Sequence, residues 1–151
     1  MPGREMHTSI GTVVGALTAA ARTPAEASGV PIPELGGGAI GGYWGSRFPD
    51  LIEPASSPWH RDVAHSAIMG GILASSFGQL GRWEIHCRRQ AAHHREQGLH
   101  PGAEPQSTIW HTLAEWFWRL LAGLAAGLLS GYISHLVLDG FTRQGLPLLG
   151  R

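Results

Sequence analysis

Residues 120–139 read LLAGLAAGLLSGYISHLVLD, with no charge before Asp139, and Gly123, Gly127 and Gly131 recur every four residues. Positions four apart share one face of an α-helix. The glycines therefore form a stripe on which a second helix can close, as membrane bundles often do. The spacing predicts a helix from about Ile109 to Phe141, entered through Trp110, Trp116 and Trp118. Leu120–Ser134 and Ser66–Gly81 approach, without reaching, the roughly 20 apolar residues of a clean membrane span. A soluble bundle can also use such a stripe; the membrane reading is preferred.

Upstream, an apolar helix is expected over Thr8–Ala21. Residues 22–35, with Thr23-Pro24, Pro31 and Pro33, are expected to be irregular. A glycine-rich segment, 36–46, comes next and leads into Phe48-Pro49-Asp50. Ser57-Pro58 reads as a helix start, a Ser N-cap before Pro at the first helical position, with the helix reaching about Leu80. Residues 82–107 are expected to be a polar loop. The expectation is all-α: residues 1–151 as a single domain, a small membrane-associated helical bundle with a metal site at one end and the lipid bilayer as its surroundings.

Composition narrows the function classes. Charged residues make up 15% of the chain, against roughly 25% in an average soluble domain. All 11 basic residues are Arg and 11 acidic residues balance them. A net charge of zero gives no basic field and argues against nucleic acid as a partner. Cys87 is the only cysteine, so neither an internal disulfide nor a Cys-based zinc site can form.

The residues able to bind a metal are His and Asp. His135 and Asp139, at i and i+4, project from one helix face inside an apolar run, where an unpaired carboxylate is costly. Either they satisfy each other or both bind a metal; imidazole and carboxylate are zinc's usual non-sulfur ligands. His60 and His65 are five apart, about 140° on a regular helix, so one should face the site and the other point aside. Asp50 suits a cap or a ligand, and His7 is a further candidate. Antiparallel neighbours would put His65 with His135 at one end, and His7 with Asp50.

These motifs in order, Phe48-Pro49-Asp50, then His60-Arg61-Asp62-Val63-Ala64-His65-Ser66, then Gly131-Tyr132-Ile133-Ser134-His135-Leu136-Val137-Leu138-Asp139, then Gly145-Leu146-Pro147, resemble those of the YdjM-type bacterial hydrolases. These are LexA-binding, inner-membrane-associated, metal-dependent hydrolases. More distantly, the pattern is similar to that of zinc phospholipase C and its related single-strand nucleases. The chain departs from the family at Ile52 and Glu53, where Asp and His are common, and at Asp62, Ala64 and Arg143.

The resemblance implies an integral protein of the bacterial inner membrane that hydrolyses a small anionic substrate, a phosphoester by the more distant likeness. Asp50, His65, His135 and Asp139 would hold a divalent ion, zinc first and manganese second, with His60 and His7 as further ligands. Asp62 or Glu53 would orient or deprotonate water, and Arg61 would bind an anionic group. The competing reading is a membrane protein whose metal is structural, or which binds a partner without catalysis.

Overall fold

The computed structural model describes residues 4–25, 31–52, 67–102 and 104–140. The described residues form helices α1 (Arg4–Ala21), α2 (Ile32–Ile52), α3 (Ala67–Gly98) and α4 (Pro105–Gly140) and no strand, in keeping with the all-α expectation. The 36 residues of α4 are about 54 Å long at 1.5 Å per residue. Among the described residues it is the one helix long and apolar enough to cross a membrane. Among the described residues it packs against each of the other three helices, and it is the main partner of α3.

The glycine stripe predicted on α4 meets a matching stripe on α2. A Cβ at Gly127 or Gly131 would come under 3 Å from the backbone of Gly38 or Gly42, and one at Gly37, Gly41 or Gly45 would strike the α4 backbone. On its other side α2 meets α1, where Gly11 and Gly15 lie against Gly42 and Gly38. Backbone therefore touches backbone on both sides of α2, the arrangement in which Cα–H groups approach carbonyls across helices. Pairings that run in opposite sequence directions make α1 antiparallel to α2, and α3 antiparallel to α4 (His94 with His111, Phe77 with Tyr132).

Large and small side chains are inverted relative to a water-soluble bundle. The interior holds Ala19, Ala122, Ala125 and Ala126 with the glycines, whereas Leu17 is 63% exposed, Trp44 55% and Val137 51%. Burying a large apolar side chain is worth about 1.5–3 kcal/mol in water, and this bundle leaves that gain unused along much of its surface.

Several expected boundaries move. α1 begins at Arg4, before the expected Thr8, so His7 lies inside the helix. The glycine-rich segment belongs to one continuous helix that starts within the stretch expected to be irregular and passes through Pro49. The Ser57-Pro58 start lies outside the described residues. The polar loop expected at 82–107 is helix as far as Gly98. Its Arg, Glu, Gln and Ala residues are good helix formers. Glu84, Cys87 and Ala91, spaced by three and four, form a buried seam. The true turn is short and uses Gly102 at φ 97°, a left-handed conformation that suits glycine. α4 then starts with Pro105 at its first position.

At the tip of the α3–α4 hairpin, His94 Nδ1 lies 3.1 Å from His111 Nδ1. One ring must donate and the other accept, so the contact needs at least one neutral ring. Burial first, and then His111 and His93, push the His94 pKa below its ordinary value. A depressed histidine stabilises the fold above the ordinary value of about 6.5 and loses that contribution as pH falls through the lowered one. Amide protection factors around His94 and His111, taken relative to intrinsic exchange at each pH, are therefore expected to be high at pH 8 and to fall below about pH 6.5. A His94→Gln variant should lose most of that pH dependence.

The glycine contacts generate a second expectation. Gly42→Val should cost about 1–3 kcal/mol or more through overpacking. Gly36→Ala, with nothing within 4 Å of the added Cβ, should be neutral or stabilising by up to about 1 kcal/mol. Thermal melts of the purified variants check both.

Candidate metal centre

Three helices bring their polar residues together at one end of the bundle. α1 contributes His7, α2 contributes Asp50, and the final turns of α4 contribute His135 and Asp139. His7, His135 and Asp139 are buried, with exposures of 5%, 1% and 4%, and each offers a ligand atom within 4.8 Å of the others. His135 Nε2 is 3.3 Å from Asp139 Oδ2 and 3.7 Å from Asp50 Oδ1. His7 Nε2 is 3.6 Å from Asp139 Oδ1, and the two imidazole rings lie 4.2 Å apart between centroids.

The other nitrogen of His135 sets its tautomer. Nδ1 lies 2.6 Å from the carbonyl oxygen of Ser46. A carbonyl only accepts, so Nδ1 carries the hydrogen and donates it. In the neutral ring the lone pair is then on Nε2, which lies near the carboxylates of Asp139 and Asp50. Lone pair against carboxylate is unfavourable; either a proton on Nε2 or a cation among the three groups resolves it. Metal-binding histidines commonly donate their second N–H to a backbone carbonyl in this way.

The spacings suit an ion. Zinc bonds of about 2.0–2.1 Å in a tetrahedron place ligand atoms roughly 3.3–3.4 Å apart. The 3.3, 3.6 and 3.7 Å separations lie close to that edge. They exceed the roughly 2.7–2.9 Å of a strong charge-assisted hydrogen bond. Two imidazoles and one or two carboxylates also match the donor preferences of zinc and manganese. His7, His135 and Asp139 could thus hold a metal ion. Asp50 has a side chain 24% exposed and forms the open side of the cluster.

The expected grouping of His7 with Asp50 and of His135 with Asp139 is found here as one cluster. Glu53, His60, Arg61, Asp62 and His65 lie outside the described residues. Ser46 escaped the sequence reading because it acts through its backbone. Its place one turn beyond Gly42, on the same stripe, was the available signal. Comparison of the chain with models of known protein families, with curated proteins and with solved structures finds no match.

A bound ion stabilises only the folded state, by about 2.7 kcal/mol at 100 times its dissociation constant. Zinc or manganese should therefore raise the melting temperature of the wild type, and a chelator should reverse the shift. His135→Ala and Asp139→Ala should show neither effect.

Proposed function

We propose that this chain is a membrane-embedded, metal-dependent hydrolase of the bacterial inner membrane that acts on a phosphoester. The observation that carries the metal reading is His135, its Nδ1–H held by the Ser46 carbonyl, its Nε2 within 3.3–3.7 Å of two carboxylates and its ring beside His7.

The membrane reading rests on the inverted surface and on where the charges lie. Between Arg119 and Asp139 α4 has no charged residue, a distance of roughly 30 Å at 1.5 Å per residue. That matches the hydrocarbon thickness of a bilayer, about 30 Å. α1 is free of charge from Thr8 to Ala21, and α2 from Leu35 to Ser46. Trp83, Trp110 and Trp116 are exposed near the other end of this band, where tryptophans commonly sit at a membrane interface.

His7, His135 and Asp139 would hold the ion from inside the bundle. A divalent ion there supplies a water of lowered pKa and stabilises charge on a phosphoryl oxygen. Asp50, at the open side and 3.7 Å from His135 Nε2, is placed either to complete the ligand set or to accept the proton of the attacking water. Glu53 and Asp62 are the further candidate bases, and Arg61 the candidate anion-binding group. Structural zinc sites are closed, whereas catalytic sites keep an open position. The partial exposure of Asp50 favours catalysis over a purely structural ion. The ordered resemblance to YdjM-type hydrolases supports the reaction class and the inner-membrane location.

Elemental analysis of detergent-purified protein is expected to find about one divalent ion per chain or more, and His135→Ala and Asp139→Ala should lose it. Asp50→Asn should slow hydrolysis of an activated phosphodiester by roughly 100-fold or more. Wild-type protein that carries no ion, and takes up none when offered zinc or manganese, would sink the proposal. A metal-loaded protein inert towards phosphoesters would leave a structural ion as the correct reading.

A further inference from the structure

A second constellation of buried charge lies at the opposite end of the bundle, roughly 30 Å along α4 from Asp139. There a cavity of 340 Å³ opens between the start of α2, the polar half of α3 and the first half of α4. On its inner wall Arg119 Nε donates to Glu34 Oε1 at 2.7 Å, and Arg119 Nη1 lies 3.4 Å from Glu115 Oε1. Glu34 is 1% exposed, yet its Oε2 has no hydrogen-bond partner among the described residues. A buried carboxylate oxygen left in that state is costly, and a donor arriving from the cavity would relieve it.

The facing wall, on α3, carries two guanidinium groups, Arg88 and Arg95, beside the carboxylate of Glu96. Arg95 lines the cavity and its side chain forms no ion pair among the described residues. Arg88 also lines it. Its Nε donates to Glu84 Oε1 at 3.0 Å, while its buried Nη2, 2.9 Å from the same oxygen, makes no hydrogen bond of good geometry. Ala91, Ala92 and Leu99 supply apolar surface between the two walls. The cavity thus has an acceptor needing a donor on one side and, on the other, the guanidinium groups of Arg95 and Arg88 beside Glu96. Its volume falls at the small end of the usual ligand-site range, about 300–1,000 Å³.

We propose that this cavity binds a zwitterion consisting of a primary ammonium joined by a short apolar link to a phosphate, the chemistry of an ethanolamine phosphate head group. The ammonium donates to Glu34 Oε2, the phosphate meets Arg95 and Arg88, and the methylenes lie against Ala91 and Ala92. The head group can come from a free small molecule or from a lipid in the bilayer around the chain. A trimethylated ammonium has no N–H and cannot satisfy Glu34, so the site discriminates against choline phosphate.

The test uses the detergent-purified full chain, titrated calorimetrically with O-phosphoethanolamine and with phosphocholine. The same chain is also placed in nanodiscs of phosphatidylethanolamine or phosphatidylcholine, and retained lipid is read by native mass spectrometry. Arg95→Gln and Ala92→Phe leave the buried Glu34–Arg119 pair untouched, and circular dichroism verifies their fold. O-Phosphoethanolamine binding that exceeds phosphocholine binding by roughly tenfold, and falls in both variants, establishes the site with a free ligand. Selective retention of phosphatidylethanolamine, lost in Ala92→Phe, establishes it with a lipid. Equal treatment of the two head groups, retention of neither, or binding indifferent to both variants overturns the proposal.

Discussion

Backbone contact on both sides of α2 is the constraint on which the rest of this structure depends. Gly38 and Gly42 lie against Gly15 and Gly11 of α1 on one side and against Gly127 and Gly131 of α4 on the other. Only glycine permits both approaches at once, since a Cβ at either position would fall inside neighbouring backbone. One turn further along the stripe, the Ser46 carbonyl comes within 2.6 Å of His135 Nδ1. The close packing of the helices and the orientation of that imidazole are thus one geometric fact.

With small residues inside and large apolar residues outside, close backbone contact and polar pairs, more than burial of large side chains, hold the bundle together. Among the described residues, buried charge lies towards its two ends. At one lie His7, Asp50, His135 and Asp139. At the other, Glu34, Glu115 and Arg119 link α2 to α4, while Glu84 gathers Arg22 and Arg88. Buried ion pairs of this kind add little net stability after desolvation, but breaking one partner is expensive. They therefore act chiefly on register: Glu34–Arg119 sets the longitudinal position of α2 on α4 at one end, and Ser46–His135 sets it at the other.

The two ends are chemically different. Around His135, acceptors and imidazole nitrogens converge at spacings suited to an ion, with Asp50 open to the outside. Around Glu34, one unsatisfied acceptor faces guanidinium groups across a cavity large enough for a small organic molecule. The uncharged middle of the bundle separates the two by about the thickness of a hydrocarbon layer.

The sequence by itself determined the helical class, the glycine stripe of α4 and the pairing of His135 with Asp139, because each follows from local periodicity at three to four residues per turn. It also indicated that His7 and Asp50 share an end, since antiparallel neighbours return to the same level. It misjudged residues 82–98, whose polar composition masked a seam at Glu84, Cys87 and Ala91 that becomes apparent only with α4 as partner. Tertiary structure alone decided that His7, 128 residues away, lies against His135, and that a main-chain carbonyl directs the imidazole. It alone paired Glu34 with Arg119 across 85 residues. Such pairings depend on the distance and rotation between packed helices, and those are set where glycine lets two backbones meet.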